Sequence, residues 1–168
     1  MKRLRQDQRG FSMMELLMVM ALTAIVTTAI TTTVFQIFTI NTRTANHMIA
    51  VSQVQQAGKL VSEDMLEAQA EKIVDSPSEP GQFLILGWEG QNSTEVHDII
   101  YTLMDGELWR SESIDEGDPV MTRVAEYINS DQTTCDWSTG VLTFTVTATV
   151  GEESETRIYS VQPRSGSY

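Results

Sequence analysis

Cysteine is nearly absent. Cys135 stands alone in 168 residues, so no disulfide can close within the chain, and the paired spacings of zinc and redox sites are missing. The single thiol reads as a small, partly buried residue, with a reactive or intermolecular thiol as the alternative. Histidine is almost as scarce: His47 and His97 are the only imidazoles, and neither has a Cys, Ser or Glu motif around it. The sequence also lacks G-x-S-x-G, H-E-x-x-H, the phosphate loop and the dinucleotide glycine fingerprint. With no convergent acid, base or nucleophile, the chain reads as a non-enzyme. Positive charge is short too, with 11 Lys and Arg against 23 Asp and Glu. Four of those cations, Lys2, Arg3, Arg5 and Arg9, sit with Asp7 in the first ten residues. That segment therefore carries +3, and the remainder carries -15. So acidic a remainder repels phosphate backbones and anionic headgroups, which disfavours nucleic acid and favours cations or basic protein surfaces.

The most informative absence is local. From Leu16 to Thr42 there are 27 consecutive residues without Asp, Glu, Lys, Arg or His, more than the roughly 20 that span a bilayer as a helix. The cations precede this run and only Arg43 closes it, so the positive-inside rule places Met1 to Gly10 in the cytoplasm and the C-terminal bulk outside. A secretory signal would end its apolar core after roughly 7 to 15 residues at a small-residue site; this core runs on through Thr27, Thr28, Thr31, Thr32 and Thr33. A plain single-pass anchor is the simplest reading, and Glu15 strains it. A carboxylate at mid-helix in hydrocarbon costs about 2.5–3.5 kcal/mol on insertion scales, and such groups have partners. Cutting before Phe11 would create an α-amino group four residues from Glu15, and that ammonium on a neighbouring subunit could neutralise it. The alternative is an interfacial Glu15 with the membrane boundary just after it.

The string Arg9-Gly10-Phe11-Ser12-Met13-Met14-Glu15-Leu16-Leu17 resembles the processing site of type IV pilins and type II secretion pseudopilins, where a short basic leader ends in Gly before Phe. The resemblance, specific over about Lys2 to Ile40, implies that a membrane prepilin peptidase cuts after Gly10 and methylates Phe11, and that Glu15 assists packing into a filament. Ser12 and the Met13-Met14 pair depart from the usual Thr-Leu-Ile or Thr-Leu-Val without altering charge or the apolar face.

Past Arg43 the apolar positions Ala50, Val54, Ala57, Val61, Met65 and Ala68 recur at steps of three and four, the mark of an amphipathic helix. It should stop near Asp75-Ser76-Pro77. A helix from Phe11 to about Ile73 would be about 95 Å long, with Gly58 and the Thr run as places to bend. Strands are predicted at Phe83 to Trp88, Asp98 to Met104, Glu107 to Ser111, Val141 to Val150 and Glu155 to Val161. Asp105-Gly106 signals a hairpin. In the longest strand Leu142, Phe144, Val146, Ala148 and Val150 form a core face, and Thr143, Thr145, Thr147 and Thr149 a solvated one. Val120 to Ile128 fits a helical stripe or an irregular strand equally well.

The expected fold is α+β: a long N-terminal transmembrane and amphipathic helix packed on a C-terminal antiparallel β domain. Its parts are a leader (1–10), an assembly helix (11–42), an amphipathic continuation (43–76) and a β-rich domain (77–168). The order of Ile99-Ile100-Tyr101, Asp-Gly-Glu-Leu-Trp-Arg at 105 to 110, Val124-Ala125-Glu126-Tyr127-Ile128 and Val161-Gln162-Pro163-Arg164 is similar to minor pilins of the PulJ and PilW kind. That resemblance implies a subunit that primes or caps a filament and partners other pilins, the prepilin peptidase, an assembly platform of the cytoplasmic membrane and lipid. The final location would be a surface or periplasmic filament.

Two further features have a bland reading and a sharper one. Glu112, Asp115, Glu116 and Asp118 are oxygen donors of the kind Ca2+ takes, with Asp115, Glu116 and Asp118 the candidate ligands, but their spacing matches no EF-hand and an acidic solvated loop explains them. Trp88, Trp109 and Trp137 could line a binding platform on a filament tip, for adhesion or DNA uptake, or could serve packing. Asn92-Ser93-Thr94 fits a glycosylation pattern too short to carry weight.

Overall fold

The computed structural model describes residues 12–75, 77–90, 95–115 and 117–163, and the chain divides into two units, Met1–Thr42 and Arg43–Tyr168. Helix α1 (Met13–Glu67) runs through the first unit into the second. Its stripe in the second unit is the expected one: Ala50, Val54, Ala57, Val61, Met65 and Ala68 are all buried. Spacings of three and four residues stack these side chains on one face, and each larger one removed from water contributes roughly 1.5–3 kcal/mol.

The helix ends at Glu67, short of the expected Ile73, and sheet pairing is the cause. Gln69 leaves helical geometry to donate its N–H to the Gly87 carbonyl at 2.9 Å. After a 3-10 turn, Ala70–Lys72, Val74 bridges Ile85 in both directions at 2.9 and 2.8 Å. Backbone bonds to a sheet edge replace those another helical turn would have made.

Seven strands follow: β1 (Gln82–Glu89), β2 (Val96–Met104), β3 (Glu107–Ile114), β4 (Val120–Ala125), β5 (Thr134–Ser138), β6 (Val141–Val150) and β7 (Glu153–Val161). They form two antiparallel sheets, β1-β2-β3-β4 and β5-β6-β7. This α+β arrangement, a long helix against antiparallel sheets, is the one expected. Asp105 and Gly106 both take positive φ, 51° and 76°, the pair a tight β2–β3 hairpin needs.

One open reading is decided and one further segment was not foreseen. Val120 to Ala125 is a strand, not a helix or turn, with Val120 66% exposed and Tyr127 beyond it 49% exposed. A register shift between Leu108 and Trp109 buries Val124 and Ala125 consecutively. The residues of the helical stripe, Val120, Val124, Tyr127 and Ile128, share no face here: Val120 and Tyr127 are exposed, Val124 and Ile128 buried. Strand β5 was not foreseen: five residues with only Cys135 and Trp137 apolar give little pattern to read. Its hairpin to β6 turns on Thr139 and Gly140, at φ 53° and 79°.

The core face of β6 is as expected, Leu142, Phe144, Val146, Ala148 and Val150 all being buried. Its threonine face is not uniformly solvated. Thr147 is 1% exposed because residues 127–133 fold over it, with Asn129 donating to the Thr147 carbonyl and Thr149 to that of Tyr127, each at 2.8 Å. Both sheets and the helix stripe share one core; Phe83 stacks on Phe144 at 5.9 Å and joins the two sheets.

Candidate assembly site

The described part of the first unit is helix from Met13 to Thr42. Ser12 begins it: its hydroxyl accepts from the Met14 N–H at 3.3 Å, and its carbonyl accepts from Glu15 and Leu16 at 2.9 and 3.1 Å. A serine placed so satisfies an amide that the first turn leaves free. Glu15 is exposed in that first turn, where the positive end of the helix dipole favours a carboxylate. Gly10 and Phe11 lie outside the described residues.

The surface of this helix is apolar all round. Leu16, Leu17, Ile25, Phe35, Phe38 and Ile40 are all exposed, and the helix is long and apolar enough to cross a membrane, with mean hydropathy 2.0 over its best window. Its threonines do not spoil that surface. Thr27, Thr28, Thr31, Thr32, Thr33, Thr39 and Thr42 each donate their hydroxyl to the carbonyl four residues back at 2.7–3.1 Å, and Thr23 donates to Met20. Hydroxyls satisfied within their own helix need no water, which is the condition hydrocarbon imposes.

In the second unit the structure assembles a polar cluster that sequence reasoning missed. Arg110 on β3 grips Asp64 on the helix with two bonds, Nε to Oδ2 at 2.7 Å and Nη2 to Oδ1 at 3.1 Å, and its Nη1 donates to Glu112 at 2.7 Å. The Tyr101 hydroxyl donates to the same Asp64 carboxylate. Burial works against the Arg110 charge, but its bonds to Asp64 and Glu112 outweigh that and hold the guanidinium above its ordinary pKa. The Arg110 bond holds the Glu112 carboxyl below the usual range. Burial, then the Asp64 charge, pushes the Tyr101 phenol up. A signal existed: Asp64 falls three residues after Val61 and four before Ala68, on the apolar stripe itself.

The other candidates are dispersed. Glu112 belongs to β3 and to Arg110 rather than to an acidic loop. Asp115, at φ 52°, accepts from the Val96 N–H at 2.8 Å; Asp118 is exposed; Glu116 lies outside the described residues. Among the described residues no group of three or more His, Cys, Asp or Glu could hold a metal. His47 is exposed, and His97 stacks on Trp88 at 5.2 Å. The register puts Trp88 with His97 on one face of the first sheet and Trp109 with Thr102 on the other. These two tryptophans therefore share no patch. Cys135 is partly buried, and burial, then Asp75 and Asp136, pushes its thiol up to about 12.

The family described as Prokaryotic N-terminal methylation motif matches residues 5–31. The matched stretch takes in the end of the basic N-terminal segment and residues 16–31 of the uncharged run, and it supports a type IV pilin-like class for the chain. Comparison with curated proteins and with solved structures gives no match.

Proposed function

We propose that the chain is a non-enzymatic minor pilin or pseudopilin, cut by a prepilin peptidase between Gly10 and Phe11, methylated at Phe11, and built into a type IV pilus or type II secretion pseudopilus. The observation that carries this is a single one: the methylation motif at residues 5–31 leads into an exposed apolar helix whose first acid, Glu15, lies in its first turn. Cleavage supplies the ammonium that Glu15 lacks in hydrocarbon, so processing and assembly become one electrostatic event between Phe11 of one subunit and Glu15 of the next.

In this reading residues 1–10 are a leader, 11–42 the assembly helix, 43–76 the segment that carries its amphipathic continuation as far as Glu67 before turning to the sheet, and 77–168 the β-rich domain. The subunit inserts with its N-terminus in the cytoplasm and leaves the cytoplasmic membrane for a surface or periplasmic filament. Its partners are other pilins, the peptidase and a membrane assembly platform. The order of the motifs from Ile99 to Arg164 supports a priming or capping subunit over a bulk one.

Intact mass and N-terminal sequencing of chain extracted from membranes with an active prepilin peptidase test the reading. A mature chain starting at Phe11 and one methyl group heavier than the bare sequence is expected; a chain starting at Met1 would sink it. Glu15→Gln should leave cleavage intact and abolish incorporation into filaments, seen as retention in the membrane fraction.

A further inference from the structure

We infer that the free edge of β4 is a docking site for an extended, cationic segment of another protein, which adds to the first sheet as a further strand. The two sheets present four edges, and at three of them the structure deters a newcomer. Along β1 the chain that follows the helix lies against the edge, with Gln69 bonded to the Gly87 carbonyl and Val74 bonded to Ile85 in both directions. At β5 the Trp137 N–H is taken by the Asp75 carboxylate at 2.8 Å. At β7 the register turns Glu153, Glu155 and Arg157 to the face that carries Tyr159 and Val161, and charges pointing inward deter a further strand.

The β4 edge is open by comparison. Among the described residues the backbone of Val120 to Arg123 makes no hydrogen bond except to β3, and all four residues are exposed. Pro119 precedes this run and the register shift lies beyond it, so Val120 to Arg123 is regular strand. Alternation sets Val120 on the face of Glu112 and Ile114 and Met121 on the other, so both faces offer an apolar group to the side chains of an added strand. Charge then selects the occupant. Glu107 to Glu126 holds six acids against two cations, a balance of -4. Both cations are committed, Arg110 to Asp64 and Glu112, and Arg123 to Glu107 and Glu126 at 2.9 and 2.7 Å. Among the described residues no cation pairs with Asp115 or Asp118. A second copy of this chain would set acid against acid, whereas a strand carrying Lys or Arg supplies the missing charge. Main-chain bonds along the edge give such a strand its affinity, and its alternate side chains give selectivity.

The experiment uses the full chain in an uncharged detergent and, as probe, a fluorescent capped peptide of about six residues in which Lys alternates with Val. Anisotropy titration should show it binding at least about tenfold more tightly than the same peptide with Glu for Lys. It should also outbind a version N-methylated throughout, which keeps the charge but cannot pair along an edge. Asp115→Asn with Asp118→Asn should weaken the Lys peptide and flatten its salt dependence. Hydrogen exchange of the complex should show new protection at Val120 to Arg123. No binding of the Lys peptide overturns the inference, as does equal binding of the Glu or the methylated peptide. So does protection gained at β5 or β7 instead of β4. Protection of β4 that rises with protein concentration when no peptide is present would make a second copy the occupant and overturn it too.

Discussion

Replacing Asp64 by Ala would leave Arg110 with Glu112 and no helix partner, in a place where the guanidinium is almost out of water. Breaking one side of a buried pair costs about 3–5 kcal/mol, whereas exchanging both partners for apolar residues of like volume is often close to neutral. Urea unfolding of the detergent-solubilised chain should therefore show a large loss for Asp64→Ala and a small one for Asp64→Leu with Arg110→Met. The same cluster sets an acid limit. Because Glu112 titrates below its ordinary value when folded, its stabilisation is complete above the unfolded value, about 4.3, and drains away as pH falls through the folded one. Unfolding midpoints should drop below about pH 4.3, and Glu112→Gln should flatten that drop.

At the scale of elements, sequence legibility followed the strength of the pattern. The stripe from Ala50 to Ala68 and the alternation of β6 were readable because burial on one face imposes periods of 3.6 and 2. The helix end was not, because Gln69 is drawn to Gly87, far along the chain. Nor was β5, which offers only Cys135 and Trp137 as apolar residues and is placed by its pairing with β6. Thr147 shows how the same chemistry changes meaning with cover. Its hydroxyl lies 2.8 Å from that of Thr156 and 3.4 Å from the Gln132 carbonyl. Thr147→Val should lose about 1 kcal/mol of stability through the lost hydrogen bonds to Thr156 and Gln132, while Thr145→Val, half exposed on the same strand, should change the melting temperature little.

For the whole molecule the governing quantity is charge placement, +3 in the first ten residues and -15 beyond, on either side of an uncharged run. If that asymmetry orients the chain, replacing Lys2, Arg3, Arg5 and Arg9 with Glu should reduce the fraction inserted with the C-terminal unit outside. Protease accessibility of residues beyond Arg43 in oriented vesicles measures it; unchanged protection would refute the expectation. The apolar run long enough to cross a membrane, the carboxylate at its head, the amphipathic stripe and most strands were determined by the sequence itself. Each depends on neighbours within a few residues, where period and charge are visible. Tertiary structure alone decided that Asp64 belongs with Arg110, Tyr101 and Glu112, that Gly58 makes room for Tyr159, and that Trp88 and Trp109 face opposite ways. Those relations join residues tens of positions apart, and a linear string does not state which buried polar group finds which partner.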